Sequence, residues 1–154
     1  MASLTGRIAN FMSRNFPGLA RSGGDRHVEQ YRASKGKKSN KFLGRPVFLL
    51  DVVGRKSGKS VPVMLMLVRR GDDLLVCGSF GGNPKTPGWY LNLAAAGEAF
   101  VEVDGERWAV THRELDDGPE RDEAWKLLTE AYPDFASYQE LTDRRLPVAV
   151  LSRK

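Results

Sequence analysis

From Pro46 onward the apolar and β-branched residues fall into six short runs, at 47–53, 61–70, 74–78, 99–103, 108–114 and 146–151. Two of the gaps between them carry hairpin chemistry, "RRGDD" at 69–73 and "VDGER" at 103–107. Parallel strands need a crossover of a dozen residues or more, so runs this short and this close predict antiparallel pairing and exclude a Rossmann sheet. Six such strands with a few helices predict a small, mainly β (α+β) barrel, because closure removes exposed edges. Two helices interrupt the strands late. One opens at Gly118-Pro119, has Glu120, Asp122 and Glu123 in its first turns, and carries Ala124, Leu127, Leu128 and Ala131 on an apolar face; "ASYQELTDR" forms a shorter one after Pro133.

A chain of 154 residues, 41% of them hydrophobic, supports a single core. Its one cysteine, Cys77, excludes an intramolecular disulfide, and with two histidines, His27 and His112, no metal site is expected. No apolar run reaches membrane-span length and no signal-peptide core is present, so the protein is expected to be cytoplasmic. The charge is uneven. Up to Ser60 there are 13 Lys/Arg against Asp25, Glu29 and Asp51, a net +10, and the remainder carries −5. "LTGRIANFMSRNF" places Leu4, Ile8, Phe11 and Met12 at helical spacing with Arg7 and Arg14 elsewhere on the wheel, and Gly23-Gly24 are expected to break the pattern. This basic amphipathic helix either docks on the domain as a lid or lies peripherally on an anionic membrane face. "RASKGKKSNKFLGR", 32–45, reads as a mobile cationic segment. We therefore divide the chain into a basic N-terminal part, 1–45, and a barrel domain, 46–154. No helix-turn-helix or aromatic RNA motif supports a nucleic-acid partner.

"VVGRKSGKS", 52–60, looks like a phosphate-binding P-loop but has only three residues between Gly54 and Gly58-Lys59, and a β-rich run with Pro62 follows in place of a helix. It reads as a strand, a basic turn and a strand. The turn can hold an anion, Arg55 bidentately and Lys56 and Lys59 as point charges, but not a nucleoside triphosphate. The densest signal is "GSFGGNPKTPGWYLNLAAAG", 78–97. Ser79 to Gly82 form a turn where backbone can approach a flat ligand, and Thr86 is expected to cap a helix beginning at Pro87, leaving the N–H groups of Gly88, Trp89 and Tyr90 open to an anion or carbonyl. Trp89 and Asn92 share a face that either flanks a planar heterocycle or, through Trp89 and Leu93, anchors the helix in the core.

Taken in order and spacing, "GRKSGK", "SFGG", "PGWYLNL" and "YPDFASYQELTDRRLPV" resemble the deazaflavin-dependent nitroreductase family, a branch of the split β-barrel flavin-binding proteins, from about Pro46 to Leu151. The resemblance implies a split β-barrel and coenzyme F-420, an 8-hydroxy-5-deazaflavin with an anionic oligoglutamate tail. It implies that Gly54, Arg55, Lys56, Ser57 and Lys59 hold the phosphate or tail; that Pro62, Val63, Met64, Ser79, Phe80, Gly81, Gly82, Gly88, Trp89 and Asn92 surround the ring; and that Met66, Phe135 and Tyr138 meet the substrate. Tyr132, Tyr138 and Ser79 are the implied hydrogen-bond or proton donors.

The reaction this implies is hydride transfer to a quinone, a conjugated enone or lactone, or a nitroaromatic. The sequence departs from the family at Ser60, Val61, Pro62 and Phe80, where relatives carry further cations, and at Phe135, where a tyrosine occurs. The missing cations weaken the expected grip on phosphate, and the missing hydroxyl at Phe135 bears on nitro reduction rather than on hydride transfer. His27, His112 and Cys77 are expected to be structural. The competing readings are an FMN- or haem-binding split barrel and a non-catalytic coenzyme or lipid carrier; the protein is expected to be a monomer or a homodimer.

Overall fold

The computed structural model describes residues 1–15 and 17–154. In chain order these form α1 (Leu4–Asn15), α2 (Pro17–Ala33), β1 (Lys41–Phe42), β2 (Arg45–Val53), β3 (Ser60–Met66), β4 (Arg69–Arg70), β5 (Asp73–Cys77), a single 3-10 turn at Phe80–Gly82, α3 (Gly88–Ala96), β6 (Glu98–Val103), β7 (Glu106–Glu114), α4 (Pro119–Ala131), α5 (Asp134–Glu140) and β8 (Val148–Arg153).

All strand pairings among the described residues are antiparallel, along the path β3-β2-β6-β7-β8-β5-β4, with β1 added to the start of β2. The run 61–70 is a strand with a break rather than one strand. Beyond β3 the Leu67 N–H donates to Pro46 O and Val68 O accepts from the Leu75 N–H, each at 2.9 Å, so the chain leaves β2 and continues against β5 as β4. That bend joins the two ends of the sheet and makes the split barrel. The β6–β7 hairpin turns on Asp104 and Gly105, with φ of 51° and 85°, the pair of positive values a tight two-residue hairpin requires.

Strand alternation assigns the core. Phe48, Leu50 and Val52 of β2, Leu74 and Val76 of β5, Val101 of β6, Val110 of β7 and Leu151 of β8 fill the barrel, joined by Tyr90 and Leu93 of α3. The intervening residues serve a second layer, in which Leu75, Cys77, Val148 and Val150 meet Ala124 and Leu128 of α4 and the aromatics of α5. Leu50 and Val101 are fully buried, and each contributes roughly 1.5–3 kcal/mol by that burial.

The expectation that Gly23-Gly24 end the N-terminal helical region is overturned, because α2 runs through them from Pro17 to Ala33. Its packing outweighs the intrinsic cost of glycine: Val28 and Tyr31, one turn apart, bury against Leu49 and Met64 on the outer side of β2 and β3. The Tyr31 hydroxyl donates to Glu102 O (3.0 Å) and accepts from the Asp104 N–H (3.2 Å). Beside it Asp51, 8% exposed, accepts from Arg32 (2.9 Å), Arg107 (3.0 Å) and the Ser60 hydroxyl. Burial pushes the Asp51 carboxyl up, but the Ser60 and Arg107 bonds and the charges of Arg107 and Arg32 outweigh it and hold the group below its ordinary value.

Pro147 cannot donate to a ladder, which moves the start of β8 from the expected 146 to Val148. The helix expected over 136–144 stops at Glu140, because the Gln139 side chain captures the following backbone: its Nε2 donates to Arg144 O (2.9 Å) and its Oε1 accepts from the Leu146 N–H (3.0 Å).

Candidate functional site

The basic turn between β2 and β3 is closed by its own backbone. Gly54 N–H donates to Lys59 O and Gly58 N–H to Gly54 O, both at 2.8 Å. Gly58 has a φ of 69°, which favours glycine, while a Cβ on Gly54 would lie 2.6 Å from Ser57 Oγ and would force that side chain to turn away. Arg55, Lys56, Ser57 and Lys59 are exposed, and none of the three cations enters an ion pair among the described residues.

The turn is aimed by α3. Asn92, 7% exposed, accepts through one oxygen from the Arg55 N–H (3.1 Å) and the Arg55 guanidinium (2.8 Å), which also reaches Gly88 O at 3.5 Å. The start of α3 differs from expectation: Pro87 is the N-cap, Gly88 is the first helical residue, and no side chain caps the end, so Thr86 does not play that part. Gly88 and Trp89 stand where no intrahelical acceptor exists, and nothing lies within 4 Å of the place a Gly88 Cβ would take. Arg55 therefore stands at an uncapped helix N-terminus, with Lys56 and Lys59 exposed on the same turn. Trp89 is partly buried against the barrel core, edge-on to Tyr90 at 5.5 Å, so it anchors the helix while bordering that spot.

The residues of β3 do not all face one way. Val63 packs inward, Met64 packs against α2, and Met66 joins the layer under α4 and α5. Period-two alternation forbids 62–64 from presenting three side chains to one ligand.

The turn at 79–82 is tightly determined. Phe80, Gly81 and Gly82 have φ of 45°, 60° and 74°, and a Cβ on Gly82 would lie 2.6 Å from Tyr138 O. Asn10 of α1 donates through Nδ2 to Gly81 O at 2.9 Å. Ser3, just ahead of that helix, ties it to α5: its N–H donates to Ser137 Oγ (3.1 Å) and its hydroxyl donates to Asp134 (2.6 Å). So α1 docks as a cover over this turn and α5, while Leu4, Ile8 and Phe11 face outward at 76%, 54% and 57% exposure.

Under that cover Tyr132, Phe135 and Tyr138 form a buried cluster, with Tyr132 and Phe135 edge-to-face at 5.0 Å and the two tyrosine hydroxyls 3.0 Å apart. Burial raises both phenols above their ordinary value, and for Tyr138 the bond with Tyr132 adds to it, so each carries its proton at neutral pH. Ser79 is 9% exposed at the mouth of the turn.

The profile of the family described as F420H2-dependent quinone reductase matches residues 25–153, which is most of the chain. The chain belongs to that family. It is 32% identical over 131 residues to an F420H2-dependent quinone reductase of Mycobacterium tuberculosis strain H37Rv, covering 83% of this chain and 88% of that one. A solved F420-H2 dependent reductase, designated FDR-A, superposes with a TM-score of 0.65 at 41% identity over 70% of this chain and 95% of that one. A second structure, described as a domain-swapped dimer, gives 0.67 at 36% identity over 83% and 96%. Membership of the F420H2-dependent quinone reductase family gives the chemistry: this is a deazaflavin-dependent oxidoreductase of split-barrel fold. The residues present fit such a coenzyme, since the uncompensated Arg55, Lys56 and Lys59 and the open N-terminus of α3 match an anionic tail.

Three features of this family member escaped the sequence reading. Asn92 holds Arg55 through the guanidinium and the backbone N–H. Arg144 donates to three carbonyls of the segment 78–83. On the opposite face of α3, a cleft of about 310 Å³ has Tyr90 and Glu114 in its lining; there the Tyr90 hydroxyl donates to Glu114 (2.5 Å) and lies 3.3 Å from His112 Nε2. The first two are tertiary contacts between residues distant in sequence and leave no periodic signal. Burial holds His112 below its ordinary value, and it raises the Cys77 thiol to about 12, which agrees with their expected structural roles.

Proposed function

We propose that the protein reduces quinones with reduced coenzyme F-420, gripping the coenzyme's anionic tail at the 54–59 turn and the start of α3 and placing the substrate near the aromatic cluster of α4 and α5. The observation that carries this reading is the Asn92–Arg55 contact, which fixes an otherwise uncompensated guanidinium at an open helix N-terminus. Arg55 presents a fork to a phosphate or carboxylate, and Lys56 and Lys59 add point charges that strengthen as salt falls. Ser79 and the 79–82 backbone line the next part of the path, with Tyr90 of α3 packed behind Gly78.

When bound, the coenzyme supplies a hydride. A quinone that takes a hydride and a proton becomes a hydroquinone, and the paired, protonated phenols of Tyr132 and Tyr138 are the donors suited to the second part. Because they lie under α1, whose Ala9 packs against the cluster and whose Asn10 bonds to the 79–82 turn, substrate reaches them when that helix shifts away. Burial of that cluster also keeps solvent away from the two phenols.

The test is anaerobic oxidation of the reduced coenzyme by purified protein with 1,4-naphthoquinone, a conjugated cyclohexenone and a nitroimidazole in parallel. Enzyme-dependent oxidation with the quinone fastest supports the reading. Tight coenzyme binding with no oxidation by any of the three would make the protein a carrier.

A further inference from the structure

Carbonyl groups at the two ends of the 79–82 turn are gathered onto one cation. Arg144 donates from Nε to Asn83 O (2.8 Å), from Nη1 and Nη2 to Gly78 O (both 3.1 Å) and from Nη2 to Ser79 O (2.8 Å). It enters no ion pair among the described residues, whereas its neighbour Arg145 pairs with exposed Asp117 at the surface. A desolvated guanidinium given only to carbonyls is a costly way to hold a loop, and a lysine could not serve three acceptors from one plane. The Arg144 backbone is itself pinned by Gln139 of α5, the residue after Tyr138.

The peptide plane gives this clamp a direction. C=O and N–H of one trans peptide point oppositely, so with Gly78 and Ser79 carbonyls drawn to Arg144 the N–H groups of Ser79 and Phe80 aim away from it. The turn needs such holding, because Phe80 sits at a φ of 45°, which a bulky side chain adopts only when its surroundings impose it.

We propose that Arg144 is a positioning residue that locks the 79–82 turn so that its backbone donors face the coenzyme, tying that backbone to the α5 aromatics. This rests on the reading that the turn lines the coenzyme site. Unlike the exposed cations of the 54–59 turn, Arg144 is partly buried and bonded to carbonyls, so its contribution depends little on salt.

The test compares Arg144→Lys and Arg144→Ala with Arg145→Ala as control, measuring coenzyme affinity by fluorescence at low and high salt, melting temperature, and amide exchange at Gly82 and Asn83. We expect Arg144→Lys to fold, to bind coenzyme about 10- to 100-fold more weakly with an unchanged salt dependence, and to exchange faster at those two amides. We expect free guanidinium ion at non-denaturing concentration to restore part of the affinity of Arg144→Ala. Affinity within about twofold of wild type, equal weakening in Arg145→Ala, or failure of Arg144→Lys to fold would each overturn the assignment. If wild type itself does not bind the coenzyme, the proposed function fails, and the exchange at Gly82 and Asn83 alone decides the role of Arg144.

Discussion

Replacing Asn92 separates holding Arg55 from adding charge beside it. Asn92→Asp puts a carboxylate where one oxygen now takes bonds from the Arg55 N–H and guanidinium at 3.1 and 2.8 Å. The fold should tolerate it, since a charge-assisted bond replaces a neutral one and offsets the cost of the partly buried carboxylate. Coenzyme affinity should not survive it. A negative charge ~6 Å from the bound anion costs about 0.7–1.4 kcal/mol at an effective dielectric of ~40–80, and occupation of the Arg55 fork costs about 1–2 kcal/mol more. The sum, about 2–3 kcal/mol, weakens binding roughly 30- to 150-fold. Asn92→Leu removes the tether without adding charge and should cost only about 1 kcal/mol, or about fivefold. Fluorescence titration at low salt should therefore rank wild type tightest, Asn92→Leu next and Asn92→Asp weakest, with the gap narrowing as salt rises. Wild-type affinity in Asn92→Asp, or a weaker Asn92→Leu, would refute the placement of the anion at Arg55.

Asp51→Ala removes the acceptor shared by Arg32, Arg107 and Ser60 and should cost about 2–3 kcal/mol, lowering Tm by about 5–10 °C in a thermal melt at neutral pH. The Asp51 carboxyl is held below its ordinary value in the fold, so its contribution is present above about pH 4 and is lost as pH falls through the depressed folded value; wild type should lose its Tm advantage over the variant in strong acid. Gly82→Ala combines a φ of 74° with a Cβ 2.6 Å from Tyr138 O and should cost about 2–4 kcal/mol by denaturant unfolding. Tyr138→Phe leaves the Tyr132 phenol as donor and should lower kcat with a quinone by about tenfold with little change in KM, whereas the Tyr132→Phe/Tyr138→Phe double variant should lose about 100-fold or more.

Much of the barrel was legible because period-two patterning and turn chemistry are local: "VDGER" gives the β6–β7 hairpin and Pro119 the start of α4. What escaped was set by tertiary contact. Gly23-Gly24 look like a break until Val28 and Tyr31 find Leu49 and Met64. Leu67 and Val68 look like strand interior until their backbone bonds to Pro46 and Leu75 bend the chain. At the site, the basic turn and the start of α3 could be named from sequence, but the carbonyls that Arg144 binds lie more than 60 positions away from it, and no spacing rule reaches that far.

The most direct test of the account is the dissociation constant of coenzyme F-420 for wild type and for Arg55→Ala/Lys56→Ala, at low and high salt. The account predicts tight binding by wild type that falls about tenfold or more in the double variant and in high salt, with the two effects overlapping because they remove the same charge interaction. Binding that is indifferent to both changes would contradict the anion cradle.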